Sequence, residues 1–540
     1  MDSRRPKLSV YERFLAGFVR KPSGELLSSF GPSQNTIVSS WDQIQMQILK
    51  YRHLTLEPGQ PLRTVVTIDD EAGEEAVSGQ AAASSRQLAL YEHPICEANE
   101  SYSIGIALTL NPTSTPAADV DLDVFFASLI LGGIHFDFGK NEDFLQHATS
   151  LDSITDAIVH HFDASLRYVA KADMWNKGGR DYFRERIWHF VSRGKKIELC
   201  LPAFPCKSSN QGKVQGTSPD RGEFIALSNL HSFIEGIERL YEPGAKLWII
   251  SDGHVFSDCI GVDDSAVDEY GAQLIAMSNS IALQRGGVDR IGFKSLVDLF
   301  AVAKLEGANL GPSLDAKMPS VQHFLGTKLT EEAETCRRIL QEAFQLDHGE
   351  LRKRLDSQDT GIVALYRGFS KFMLEDLALN PYTRGRSQSQ RRKLSSKVAF
   401  EMIQRNQAYS NLVEVMFPHH VRLSIHAHNN IGPKFGIQML GSGVRSTNVL
   451  SPDGGLVKFC DELHVPTPWH NCIVEIEGHP KLYITKSSIV LSALATGSFT
   501  GGWTGTQATG AHFYLRPSTS LPAAPRAQAL ASAPLLMEKA

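Results

Sequence analysis

The sequence predicts an α/β fold with a mainly parallel sheet, a mixed N-terminal region before it and a β-rich C-terminal part after it. Three observations carry this. Residues 196–200 and 246–250 are apolar, strand-like runs, and each is followed by a polar loop. Between them lies an amphipathic helix pattern, with Phe224, Leu227, Leu230, Ile234, Ile237 and Leu240 on one face and Pro243-Gly244 as its stop. Residues 265–283 then read as a further helix and 288–293 as another short strand. Strands alternating with helices of crossover length form parallel sheets.

Taken in order, residues 1–40 read as an extended lead-in containing Pro22 and Pro32. Residues 63–69 and 102–110 read as strands, and 70–86, acidic then rich in Gly, Ala and Ser, as a mobile loop. Helical spacing begins near residue 150 with Ile154, Ile158, Phe162, Leu166 and Val169, and 182–191 reads as a second helix. The polar loop 205–221 separates the first core strand from the amphipathic helix. Residues 328–348, 362–378 and 390–416 read as helices. After Pro418 strands are expected at 421–425, 473–476, 482–485 and 512–515. Residues 497–510, rich in Gly and Thr, read as hairpin loops, because no Gly-Lys-Ser/Thr follows to make a phosphate cradle. The expected organisation is an N-terminal region (1–150) of unassigned role, a catalytic-type domain (151–490), a β segment (491–516) and a disordered Pro/Ala/Ser-rich tail (517–540).

A chain of 540 residues exceeds one average domain. Its net charge of −5 provides no field to attract nucleic acid. The run Arg384, Arg386, Arg391, Arg392 and Lys393 reads as a solvated loop. The seven cysteines include no C-x-x-C pair, which excludes a zinc ribbon and favours a reduced compartment. The first residues lack a secretory apolar region, and the longest uncharged apolar stretch, 124–136, is too short to span a bilayer. A soluble, cytoplasmic protein with no membrane contact is expected.

Three groups of residues are rich in chemistry. Lys207, Ser208, Ser209, Asn210 and Lys213 follow a strand and offer many donors, suiting a phosphate or carboxylate or simply a hydrated loop. Asp220 and Glu223 open the amphipathic helix, where capping is the plain explanation. Asp252 and Asp258 lie in what reads as a Gly-containing loop after the second strand, where open parallel sheets bind ligands. Carboxylates there can hold an ammonium or act as general base. Asp263 and Asp264 read as caps of the next helix. The third group is His419, His420, Arg422, His426 and His428. On a strand, Arg422, Ser424 and His426 would share a face, as would His426 and His428, a spacing also used by metal ligands. Lys434, Trp469 and His470 add a cation, an aromatic wall and an imidazole. Phe204, Phe256 and Trp469 could line an aromatic pocket or belong to the core.

At these residues the chain resembles the isocyanide (isonitrile) synthases of the pyoverdine/dityrosine biosynthesis type. The likeness rests on 201–210, Lys213 with Gly216, Pro219-Asp220 with Glu223, Tyr241 with Pro243-Gly244-Ala245, and 251–258 with Gly261-Val262. Downstream it continues through 422–426, Lys434-Phe435 and 467–470, and it covers roughly residues 150–490. Cys206 departs from it, standing where a bulkier residue is expected. The resemblance implies a Rossmann-like core and a cofactor-independent reaction. In it the α-amine of an amino acid, tyrosine being favoured, condenses with the ketone of ribulose 5-phosphate; rearrangement and carbon–carbon cleavage leave one sugar carbon on nitrogen. A fungal, xanthocillin-like member acting in secondary metabolism beside tailoring enzymes is the expected subgroup. Hydration of the isonitrile to a formamide, as in the dityrosine branch, is compatible with the same first steps.

For that chemistry the expected catalytic groups are His426 as base and Asp252, Asp258 and Glu223 as proton carriers. Lys207, Ser208, Asn210, Lys213, Asp220, Arg422, Lys434, Trp469 and His470 are expected to bind substrate, with no metal. The alternatives are a metal-dependent oxygenase using His426 and His428, and a sugar-phosphate or amino-acid binding protein without turnover.

Overall fold

The computed structural model describes residues 150–300, 323–344, 348–417, 420–450, 465–506 and 509–518, together with six strands between residues 36 and 137. The first strands are β1 (Thr36–Val38), β2 (Leu54–Glu57), β3 (Arg63–Asp69), β4 (Ser85–Cys96), β5 (Ser101–Thr109) and β6 (His135–Asp137). β2 to β5 form an antiparallel sheet in chain order, and β1 pairs with β6. The expected loop at 70–86 and the expected tail beyond residue 518 lie outside the described residues.

Two helices, α1 (Ser150–Ser165) and α2 (Gly179–Val191), lead into the core. There follow β7 (Ile197–Pro202), α3 (Arg221–Leu240), β8 (Ala245–Ile250), α4 (Gly253–Ile260), α5 (Asp264–Gln284), β9 (Ile291–Lys294) and α6 (Leu296–Phe300). A helical excursion comprises α7 (Glu331–Phe344), α8 (His348–Asp356), α9 (Thr360–Asp376) and α10 (Gln388–Met416). The chain then returns as β10 (Val421–Ser424) and β11 (Lys434–Gly436), completing a sheet of order β11-β10-β7-β8-β9 in which every pairing is parallel. The α/β class read from the sequence is therefore the observed one.

α3 shows why the pattern was readable. Asp220 caps it, Oδ1 accepting from the Gly222 amide at 2.7 Å while Glu223 accepts from the Asp220 amide at 2.9 Å. Its stripe of Leu227, Leu230, Ile234 and Ile237 is fully buried, and Gly244 turns the chain at φ 69° into β8. A second, mixed sheet has the order β12-β14-β13-β16-β15. It is made from β12 (Val444–Ser446), β13 (Cys472–Ile476), β14 (Leu482–Thr485), β15 (Phe499–Thr506) and β16 (Gly510–Pro517), with α11 (Ser487–Ala495) following β14.

Four local expectations are corrected. Residues 253–260 are helix α4 and not a loop: Asp252 stands at its N-cap position, Asp258 lies inside it, and Gly261 ends it at φ 70°. Eight residues are too few for a helical period to be recognised. The Gly/Thr-rich run is a strand, β15, paired along its length with β16. Gly501 and Gly505 sit at φ 127° and 135°, where a Cβ would come within 2.1 Å of the Tyr514 carbonyl and 2.6 Å of Ala511, so glycine here serves close strand approach. β10 stops at Ser424, leaving His426 and His428 in the irregular segment beyond it. Arg391, Arg392 and Lys393 belong to α10 rather than to a loop, while Arg384 and Arg386 precede it.

Candidate functional site

Chain order reverses between β7 and β10, so the crevice at their carboxyl ends is the switch point where such sheets bind ligands. The loop after β7 enters it with Phe204 in the left-handed region at φ 58°. The loop after β8, the end of β10, α9, α10 and the Pro468–His470 turn close around it.

Lys207 is shut inside. Its Nζ donates to Asp220 Oδ2 at 2.7 Å and to the Pro468 carbonyl at 3.0 Å, and lies 2.9 Å from Glu223 Oε2. Tyr270 donates to the other Glu223 oxygen at 3.0 Å. Asp220 and Glu223 thus cap α3 and also hold the lysine. Burial, reinforced by the Glu223 charge, outweighs the Lys207 ammonium and pushes the Asp220 carboxyl up to about 8. Both carboxylates raise Lys207 despite its burial.

The next part of the loop ties to α9. Ser208 Oγ donates to Asp376 Oδ1 at 2.7 Å, and Asn210 Nδ2 to the Glu375 carbonyl at 2.6 Å. Lys213 Nζ lies 2.9 Å from Asp376 and 3.0 Å from Glu375. Burial alone would raise Asp376, but Lys213, His470 and the Ser208 hydroxyl hold it below its ordinary value. His470 is half-buried edge-on against Phe372, and desolvation pushes it down to about 3. Trp469 packs on Phe204 with ring centroids 5.0 Å apart, and both are core residues, as is Phe256.

Asp252 differs from every other carboxylate here. Its Oδ1 is buried with no hydrogen-bond partner among the described residues, and burial pushes the group up to about 6. Cys206 lies within reach of both Asp252 and Asp376, whose charges add to burial in raising its thiol. Tyr409, donating to the Ile250 carbonyl at 3.2 Å, feels both Asp252 and Arg422. Arg422 and Lys434 are register partners on adjacent strands; Arg422 is buried and Lys434 Nζ donates to Ser410 at 2.8 Å.

Asp258 stands apart from this group. Arg405 grips it with two bonds of 2.7 and 3.0 Å and holds it far below the ordinary range against the effect of burial. It therefore has neither a free oxygen nor an available proton. Asp264 is similarly held by Arg337 at 2.8 Å and by Ser257 at 2.7 Å, and Asp263 accepts from the Lys328 amide and Tyr382. His426 is exposed; His428 is hydrogen-bonded to Ser424 Oγ at 2.9 Å and is pushed down to about 4 by burial, His426 and nearby cations. Among the described residues no group of three or more His, Cys, Asp or Glu is placed to hold a metal ion.

Sequence reading missed Asp376, Lys486, Arg405 and Tyr409. Each comes from a segment remote in sequence, Arg405 behind Asp258 and the others around the crevice, and Ser208 and Asp376 are 168 positions apart. Two clefts of about 450 and 330 Å³ open elsewhere on the surface, and neither is lined by an expected site residue.

A five-stranded parallel sheet with crossover helices, whose switch-point crevice holds Asp252 beside lysine–carboxylate clusters, places the chain in the Rossmann-like α/β class. Residues 187–496 match the pyoverdine/dityrosine biosynthesis protein family, and the chain belongs to that family. It is 45% identical over 362 residues to spore wall maturation protein DIT1 of Saccharomyces cerevisiae, the match covering 66% of each chain. The L-tyrosine isonitrile synthase of Xenorhabdus nematophila is 32% identical over 54% of this chain and 72% of its own. Isocyanide synthase xanB of Aspergillus fumigatus is 31% identical over 58% of this chain and 36% of its own. The crystal structure of PvcA from Pseudomonas aeruginosa superposes with a TM-score of 0.51 at 25% identity, covering 67% of this chain and 99% of that one. The family resemblance read from the motifs is thus the observed relationship.

Proposed function

We propose that the chain is an isocyanide synthase, converting the α-amine of an L-amino acid to an isonitrile with ribulose 5-phosphate as carbon donor. One observation carries the reading of the site. Asp252, just past β8, carries a buried Oδ1 with no hydrogen-bond partner among the described residues, and burial raises its carboxyl to about 6. It suits the reception of an ammonium group and the removal of its proton, the step that frees the amine to attack a ketone. His426 is a weaker base candidate because it is exposed beyond β10.

Asp220, whose Oδ1 accepts from the Gly222 amide and Oδ2 from Lys207, acts with Glu223 to hold the Lys207 ammonium in place. Arg422, Lys434 and Lys213 supply positive charge for the phosphate, and Ser208 and Asn210 shape the loop. Trp469, packed on Phe204, fixes the turn that carries His470, and Asp258 acts as a positioning residue through Arg405. An aromatic amino acid is favoured, tyrosine first, since relatives are named L-tyrosine and L-tryptophan isonitrile synthases.

A second outcome shares the same first steps: the isonitrile is hydrated to the N-formyl amino acid, as the resemblance to the pyoverdine/dityrosine family allows. Both are tested by incubating the protein with ribulose 5-phosphate and a pool of amino acids. Mass spectrometry with a tetrazine trap is expected to show an isonitrile, or its formamide, from one of them. Untouched sugar in the presence of folded protein would overturn the reading.

A further inference from the structure

Lys486 reaches the crevice from the second sheet. It stands between β14 and α11, and its Nζ donates to the His470 carbonyl at 2.9 Å. The first two amides of α11, from Ser487 and Ser488, donate to the carbonyls of Lys213 and Gly212 at 3.1 and 2.9 Å. The start of α11 is therefore stitched to the loop that carries Lys213. Two lysines, one from each sheet region, meet around His470.

They are neutralised unequally. Lys213 has two carboxylates, Asp376 at 2.9 Å and Glu375 at 3.0 Å. Lys486 forms no ion pair among the described residues; burial and the like charge of Lys213 push it down to about 8, against the weaker pull of the Glu375 and Asp376 charges. His470 is held neutral at neutral pH and cannot add to the charge. Of the two carboxylates on Lys213, Asp376 is buried and fixed by Ser208, whereas the Glu375 side chain is 58% exposed. Only the Glu375 end of that pair faces water, so this carboxylate can withdraw into solvent while Lys213 stays in place.

We propose that Lys486 is a further substrate-binding residue, which with Lys213 receives the phosphoryl dianion of the sugar phosphate as it replaces Glu375. This rests on the reading that a sugar phosphate is the co-substrate. A dianion asks for two cations, and it would give Lys486 the direct ion-pair partner it does not have among the described residues. Glu375 acts as a solvated placeholder that limits affinity.

The test combines kinetics with binding on the full chain. Lys486→Gln is expected to raise the KM for ribulose 5-phosphate by about 10- to 100-fold, as loss of one charged hydrogen bond does. The KM for the amino acid should stay within about twofold, and Lys486→Arg should retain most of the affinity. Glu375→Gln should lower the sugar-phosphate KM, an opposite sign that a purely structural Lys486 does not predict. An unchanged sugar-phosphate KM in Lys486→Gln would overturn the assignment while leaving the reaction intact. If no product forms with any amino acid, thermal stabilisation by inorganic phosphate and by ribulose 5-phosphate decides. Stabilisation of the wild type but not of Lys486→Gln keeps the phosphate site and removes the reaction. Equal stabilisation of both, or of neither, overturns the site.

Discussion

Burial raises the Asp252 carboxyl to about 6, above its value of about 4 in an unfolded chain. The folded protein therefore holds this proton more tightly. The contribution to stability is present below about pH 4 and is lost as pH rises through about 6. At pH 8 the buried charge costs about 1–3 kcal/mol. Asp252→Asn is expected to be more stable than the wild type by that amount at pH 8, with the difference vanishing near pH 4 in urea titrations. The same variant should lose turnover, and wild-type kcat/KM should fall below pH 6 with a slope of one proton. Lys207 makes the opposite case. Lys207→Met leaves Asp220 and Glu223 buried without their cation and is expected to cost about 3–5 kcal/mol. Adding Asp220→Asn and Glu223→Gln should restore most of that stability without restoring turnover. A triple variant that turned over normally would remove these residues from the chemistry.

The elements around the site are fitted to one another where side chains are absent. A Cβ on Gly510, at φ 74°, would lie 2.3 Å from the Asp220 carbonyl carbon, so the start of β16 rests directly on the cap of α3. Gly510→Ala is expected to lower stability by about 1–3 kcal/mol and to reduce kcat more than a remote change of equal cost. Chemical denaturation beside steady-state kinetics measures both, and a kcat loss no larger than for a matched remote variant would detach β16 from the site. How well each element could be read follows from its length and partners. α3 has twenty residues, a regular apolar stripe and a capping box, so local information sufficed. α4 has eight residues, and β15 is full of glycine, so neither carries a clear period. Asp220 and Lys207 were noticed because they are close in sequence, whereas the meaning of Asp258 depends on Arg405, 147 positions away.

At the scale of the molecule, the parallel sheet was visible from strand–helix alternation, but the addition of β10 and β11 on the far side of β7 was not. No local signal encodes sheet order, which is decided by packing after a long excursion. The cysteines test the described core as a whole. Of the seven cysteines in the chain, Cys200, Cys206, Cys259, Cys336 and Cys472 are buried thiols that form no disulfide among the described residues. A thiol reagent at pH 8 is expected to label none of these five in the native protein and all of them after unfolding in guanidinium, read by peptide mapping. Rapid native labelling of Cys206 would show that the crevice opens spontaneously.

The position of β10 also bears on how the protein comes into being. β7, β8 and β9 are complete once Lys294 has left the ribosome, but their neighbour β10 is not made until Val421. Until then the edge of β7 is unpaired, and the crevice lacks Arg422, Trp469 and Lys486. Domains fold as they emerge, at about 5–20 residues per second, so this edge waits for several seconds in the growing chain. Such an exposed edge invites strand pairing with a neighbouring chain. A nascent molecule would thus carry most of its fold before it carries a working site, and its yield in cells would depend on what shields β7 in that interval.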